Sequence, residues 1–261
     1  MKLIPVKTPW LFRKIFPNYV WNVKTDEKII YLTFDDGPTP EVTDFVLDTL
    51  NAHQAKATFF CIGNNVEKHP KLFQRILAEG HRVGNHTQNH TKGWETTTAA
   101  YLQDVAAAEG IIQDSKFKVQ GLGFEVQDSG FNTEISRQNS KAKNTSKVSL
   151  EDLGDNQQSS IDNLQSSIPK LFRPPYGLIK PAQSKQLMQL AYKIVMWDVI
   201  SFDWEQELSE EKCLQNVISN TESGSIIVFH DSIKASKNMM YALPRMLAYF
   251  SEKGFRFESL K

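Results

Sequence analysis

The sequence predicts an α/β fold built on a parallel sheet and closed as a barrel. Three observations lead there. Short apolar, β-rich runs alternate with segments whose apolar residues recur at helical spacing. The 261 residues are an ordinary size for one α/β barrel. Polar clusters repeatedly follow the strand-like runs, and the C-terminal strand face is where such barrels collect their working groups.

Residues 1–27 read as an N-terminal arm ahead of a domain over 28–261. Lys28 to Phe34 (KIIYLTF) is short and apolar, so it reads as a buried strand, ended by the turn Asp35-Asp36-Gly37-Pro38. Glu41 to Ala52 places Val42, Phe45, Val46, Leu47 and Leu50 at mostly helical spacing. Ala57 to Ile62 is a second buried strand, ended by Gly63. A helix from about Pro70 to Glu79 stops at Gly80, a residue suited to a helix C-terminus. Arg82 to Gly84 is a third strand, and Asn85 opens a polar loop. Thr97 to Gln113 is Ala-rich and helical. Further on, helices are predicted over Ala182 to Ala191, Leu208 to Asn220 and Tyr241 to Lys253, with strands over Lys193 to Val199 and Ser225 to Phe229.

One segment breaks the rhythm. From about 115 to 167 the chain is rich in Ser, Asn, Gln and Lys, as in Gln138 to Lys147. Phe117 to Gln120 and Phe124 to Gln127 alternate apolar and polar as a hairpin would. The rest reads as an insertion carried on a mobile surface loop, either tolerated at low cost or acting as a flap over substrate.

Composition excludes several classes. Thirty Lys+Arg balance thirty Asp+Glu, so no basic excess exists to neutralise nucleic-acid phosphates. With 40% hydrophobic residues the chain is not a disordered one. Cys61 and Cys213 are too few for a disulfide framework and read as buried thiols. No run approaches the ~20 apolar residues of a membrane-spanning helix. Lys7, Pro9, Arg13, Lys14 and Pro17 interrupt every candidate secretory h-region, so the expected location is cytoplasmic or peripheral at the inner membrane surface. The arm reads either as a segment packed on the barrel or as an interfacial anchor. In the second case Trp10, Leu11, Phe12, Ile15 and Phe16 face lipid while Arg13 and Lys14 face headgroups.

Four clusters carry chemistry. In Thr33-Phe34-Asp35-Asp36-Gly37-Pro38, two adjacent carboxylates at a strand end repel each other unless a cation or a function compensates. Asp-Asp-Gly alone would equally make a turn. In Asn85 to His90 (NHTQNH), histidines at i and i+4 can share one face of a helical turn and bind a metal, or the stretch is a polar surface turn. With Asp36 they give a two-His, one-carboxylate set, which suits a catalytic divalent ion. Phe172 to Gly177 (FRPPYG) holds an Arg and a Tyr backbone on a Pro-stiffened segment, or is a structural turn. Trp197 to Trp204 and Val228 to Asp231 both follow apolar strands. His230 there becomes a general acid if an Asp holds its Nδ1–H.

The ordered series TFDDG, NHTQNH, RPPYG, SFDW and FHD resembles the NodB-homology polysaccharide deacetylases, carbohydrate esterase family 4. The resemblance covers about Ile29 to the C-terminus, excluding the polar insertion between the second and third motifs. It implies a distorted (β/α) barrel and metal-dependent hydrolysis of N-acetyl groups on a sugar such as peptidoglycan, a chitin-like oligomer or a sugar precursor. Carried over by position, Asp36, His86 and His90 would bind one divalent metal, zinc first, with cobalt, manganese or nickel as alternatives. Asp35 would be the base toward the attacking water, tuned by Arg173. The Tyr176 backbone N–H would face the oxyanion. His230, oriented by Asp203, would protonate the leaving amine, and Trp204 and Val228 would line the acetyl pocket. An O-acetyl ester or a non-sugar amide would suit the same site, and a non-catalytic glycan-binding protein is the reading from another class. Two positions depart from the family pattern: Ile200 stands where an acidic residue is usual, with Asp198 two positions earlier, and Val228 replaces Leu.

Overall fold

The computed structural model describes residues 5–121 and 169–261. Eight strands among the described residues form one sheet in the order β5-β4-β3-β2-β1-β7-β6, with β8 also pairing β1, and every pairing is parallel. They are β1 (Ile29–Asp35), β2 (Ala57–Cys61), β3 (Arg82–Asn85), β4 (Lys170–Phe172), β5 (Tyr192–Ile194), β6 (Val199–Ile200), β7 (Ile226–His230) and β8 (Arg256–Phe257). The helices are α1 (Trp10–Ile15), α2 (Val42–Ala52), α3 (Gly63–Lys68), α4 (Pro70–Ala78), α5 (Thr98–Gly121), α6 (Pro181–Gln189), α7 (Glu210–Ile218) and α8 (Ser236–Glu252).

The central strand shows why the sheet sits where it does. All seven residues of β1 are buried, as a strand covered on both faces requires. Phe34 stacks between Phe59 of β2 and Phe229 of β7, at ring separations of 5.1 and 6.2 Å. Val46, Leu47 and Leu50 of α2 and Leu243, Met246 and Leu247 of α8 complete that core. The register sets Asp35 beside His230 and Thr33 beside Val228 at the C-terminal ends of neighbouring strands. Both cysteines are buried.

Three expectations are corrected. The strand expected over Lys193 to Val199 is two strands, β5 and β6, at opposite ends of the sheet order. Residues between them cross from one edge toward the other, where Val20 of the arm bridges Val195 and Lys7 bridges Val199. The hairpin expected from Phe117 is not formed at its start, because the backbone of α5 stays helical to Gly121. Four alternating residues do not overturn a helix that is already propagating. The rest of the expected insertion lies outside the described residues. Helix α8 starts at Ser236, well before the expected Tyr241. The short elements α1, α3, β4 and β8 carry too few residues for a period to show.

Candidate active site

The first cluster turns where β1 ends. Asp35 keeps the strand conformation, and Asp36 leaves it with φ of 81°. That break sends the two neighbouring carboxylates to different partners. Asp35 Oδ1 accepts from Arg173 Nη1 at 2.7 Å, and Arg173 is fully buried. Its guanidinium also donates to Thr33 Oγ1, Val195 O and Met196 O at 2.7, 3.2 and 2.8 Å, and lies over the Phe60 ring at 4.2 Å. The two carbonyls belong to the stretch that crosses between the sheet edges, so that crossing stretch itself holds the arginine. Burial alone would raise the Asp35 carboxyl, but Arg173, with His86 and His230, holds it below its ordinary value.

Asp36 turns to the histidines. Its Oδ1 lies 3.7 Å from His86 Nε2 and 3.4 Å from His90 Nε2. One ligand-type atom from each of the three residues falls within 4.8 Å of the others. The two histidines converge through an irregular bend, not the helical turn expected, with Thr87 and His90 at φ of 68° and 54°. Side chains build that bend: Asn85 Oδ1 accepts Thr87 N–H, Asp104 Oδ2 accepts Gln88 and Asn89 N–H, and Thr87 Oγ1 accepts Thr91 N–H.

The donor set fits a divalent cation on three counts. Asp36 Oδ1 is buried and has no hydrogen-bond partner, a costly state for an anionic oxygen. His86 Nδ1 lies 2.7 Å from Arg173 O, which fixes the Nδ1–H tautomer and leaves the Nε2 lone pair toward Asp36. Burial and the neighbouring His86 hold His90 down to about 4, so its imidazole is neutral at pH 7. His69 and His81, close by in sequence, are not in this group.

Across the strand ends, Asp203 is fully buried and accepts from His230 twice, at 2.7 Å from the backbone N–H and 2.8 Å from Nδ1. Burial opposes the imidazolium, but Asp203 and then Asp36 and Asp35 outweigh it and push His230 up to about 9. Asn238 fixes the Asp203 loop by donating to the carbonyls of Asp203 and Glu205, both at 3.1 Å. Trp204 meets the His230 ring edge-on at 4.7 Å. Tyr176 adopts φ of 60°, and its ring lies 4.6 Å from His90 and 5.3 Å from Trp94. The following Gly177, at φ of 67°, is packed under Trp197, and a Cβ there would come 2.3 Å from that ring. Val228 is buried inside the sheet opposite Thr33.

The residues of the five sequence motifs therefore meet at one end of the sheet. Residues 22–195 match the family model described as polysaccharide deacetylase. The chain belongs to that family. The match takes in Asp35, Asp36, His86, His90, Arg173 and Tyr176. A peptidoglycan-N-acetylglucosamine deacetylase of Bacillus cereus is 30% identical over 243 residues, covering 91% of this chain and 88% of that protein. A peptidoglycan-N-acetylmuramic acid deacetylase of Bacillus subtilis is 26% identical, covering 90% of this chain and 38% of that protein. A crystal structure of a peptidoglycan N-acetylglucosamine deacetylase superposes with a TM-score of 0.71 at 28% identity, over 97% of this chain and 95% of that one. The curled parallel sheet of the polysaccharide deacetylases and their class of enzyme, a deacetylase, are thus the ones the motifs implied.

Asp198 does not join the site. Its carboxylate is buried toward the arm, where Arg13, Lys7 and Ser225 hold it. Asp231 follows His230 in the sequence and supports the candidate site from beneath. Its Oδ1 accepts Gly37 N–H at 3.0 Å and its Oδ2 accepts the Thr43 hydroxyl at 2.6 Å, and burial pushes its carboxyl up to about 7. The available signal was an acidic residue directly after a buried strand.

Proposed function

We propose that this chain hydrolyses the N-acetyl group of an amino sugar in peptidoglycan, releasing acetate and leaving a free amine. The observation that carries the reading is Asp36 Oδ1, buried without a hydrogen-bond partner and facing two imidazole Nε2 atoms. The glycan class is favoured because the relatives that align over nine-tenths of the chain are named as peptidoglycan deacetylases.

Asp36, His86 and His90 would hold one divalent ion, and two nitrogens with one carboxylate suit zinc, cobalt, manganese or nickel. When bound, such an ion polarises the acyl oxygen and acidifies the attacking water. Asp35 is kept ionised by Arg173, so it takes the water proton as the oxygen bonds to the acyl carbon. The Tyr176 N–H faces the charge that develops on the acyl oxygen. His230, kept protonated by Asp203, gives its proton to the amine nitrogen as the carbon–nitrogen bond breaks. Trp204, against His230, and Val228 border the position of the acetyl methyl.

Acetate release from peptidoglycan fragments and N-acetylglucosamine oligomers tests this, using chelator-stripped protein with each ion added back. Turnover should return with an ion and be lost in His86→Ala, together with bound metal. No acetate from any fragment with any ion would overturn the proposal.

A further inference from the structure

The helix α1 (WLFRKI) reverses the usual polarity of a surface helix. Such a helix normally turns its apolar stripe inward and its charges to water. Here Arg13 reaches inward to pair with the fully buried Asp198. Trp10, Leu11, Phe12 and Ile15, with Phe16 beyond the helix end, are left in solvent, Trp10 at 65% and Ile15 at 56% exposure. No residue of the helix is buried. The arrangement is held from both sides, because Thr8 N–H donates to Asp198 O and Val20 N–H to Ile194 O, each at 2.8 Å. A loosely attached terminus would not need a buried carboxylate to fix which way it faces.

The apolar surface continues toward the active site. A cavity of about 430 Å³ lies between Phe12, Phe16 and Trp21 of the arm and Leu178, Met196 and Trp197 of the barrel. Tyr176 also lines it, and the same ring lies 4.6 Å from His90. Charge accompanies the patch. Residues 1–25 contain Lys2, Lys7, Arg13, Lys14 and Lys24 and no Asp or Glu, and of these Lys7 and Arg13 are paired with Asp198 and Glu222. Lys14 Nζ sits 4.6 Å from the Trp10 ring centroid, at the border of the exposed face. Aromatic rings beside cations, on a helix whose apolar residues face out, match the chemistry of an anionic headgroup layer.

We propose that α1 and Phe16 dock this protein on an anionic lipid surface, holding the active site beside the membrane. The proposal is independent of the deacetylase reading, because vesicle binding is read by flotation and acetate release serves only as a control.

The test is flotation of the full chain with phosphatidylcholine vesicles, with and without phosphatidylglycerol. Binding should require phosphatidylglycerol and weaken with salt. The double variant Trp10→Ser/Ile15→Ser should partition roughly tenfold more weakly for each side chain removed. Lys14→Glu should weaken binding to the anionic vesicles. All these positions are exposed, so melting temperature and acetate release from soluble oligomers should stay at wild-type values. Three results would overturn the proposal: no binding to either vesicle, binding indifferent to phosphatidylglycerol, or undiminished binding by the double variant. A dimer seen by sedimentation velocity without lipid, and lost in the double variant, would assign the patch to a second copy instead.

Discussion

Asp231 occupies the space that a side chain at position 37 would need. A Cβ on Gly37 would lie 1.9 Å from Asp231 Oδ2, and the same carboxylate accepts Gly37 N–H at 3.0 Å. The turn that aims Asp36 at the histidines is therefore set by a residue following β7, nearly two hundred positions on. Asp231→Ala should leave two buried donors, Gly37 N–H and the Thr43 hydroxyl, without acceptors, costing about 1–3 kcal/mol each. Asp231→Asn keeps an oxygen for Gly37 and should lose less. Gly37→Ala should displace Asp231 and lower metal retention with it. Urea unfolding and metal content after gel filtration check all three. Wild-type metal content in Asp231→Ala would show that the turn is fixed by other contacts.

Asp35 and Arg173 form a buried pair with one proton-accepting partner. Asp35→Asn should cut turnover by about 10²–10⁴-fold, the usual contribution of a general base. It should leave bound metal in place, since Asp36, His86 and His90 are untouched. It also leaves the Arg173 charge without its counterion, so stability should fall by about 3 kcal/mol. Single-turnover assays, metal analysis and unfolding read these separately. Near-normal turnover in Asp35→Asn would remove the base assignment.

The long β1 and α2 were legible because seven and eleven residues suffice to show a run or a period. The polar residues at strand ends were legible for a related reason, since a parallel sheet brings all its C-terminal ends to one rim. What the sequence hid depends on distant contacts. The split of 193–199 follows from Arg173 and Val20 capturing the backbone of Val195 and Met196, which no local pattern reveals. The bend that joins His86 and His90 is dictated by Asp104 on α5. Asp198 lies two positions before Ile200, where the family has an acidic residue, and its distant partner Arg13 shows that it serves the arm instead.

His230 and Asp203 make an acid in which Asp203 is the largest favourable neighbour. Burial opposes the imidazolium, yet Asp203 and the Asp36 and Asp35 charges push His230 up to about 9. The protonated form is the one needed to release the amine, so kcat/KM should fall as pH rises through that value. Asp203→Asn removes the largest favourable charge and should move this alkaline limb down by about 1–2 pH units. The expected sign is fixed: losing a carboxylate cannot make the imidazolium easier to keep. A pH profile of Asp203→Asn with an unmoved alkaline limb would assign that limb to another group.

His81 gives a stability prediction at the opposite end of the sheet. It precedes β3, its Nδ1 accepts Ala57 N–H at 3.2 Å, and its ring meets Phe59 edge-on at 5.4 Å. Glu79 Oε2 lies 4.0 Å from Nε2, but burial, with Lys56, wins and holds His81 down to about 4. An unfolded histidine titrates near ~6.5. Between these values the unfolded chain binds a proton that the folded chain refuses, so stability falls as pH drops. The contribution is complete above about 6.5 and is lost through about 4, amounting to about 3 kcal/mol. His81→Asn keeps an acceptor for Ala57 N–H and removes the titration. The wild type should therefore lose about 3 kcal/mol more than His81→Asn between pH 7 and pH 4 in urea unfolding, other groups cancelling in the comparison. Equal losses for the two proteins would mean that His81 is protonated in the folded chain as readily as in the unfolded one.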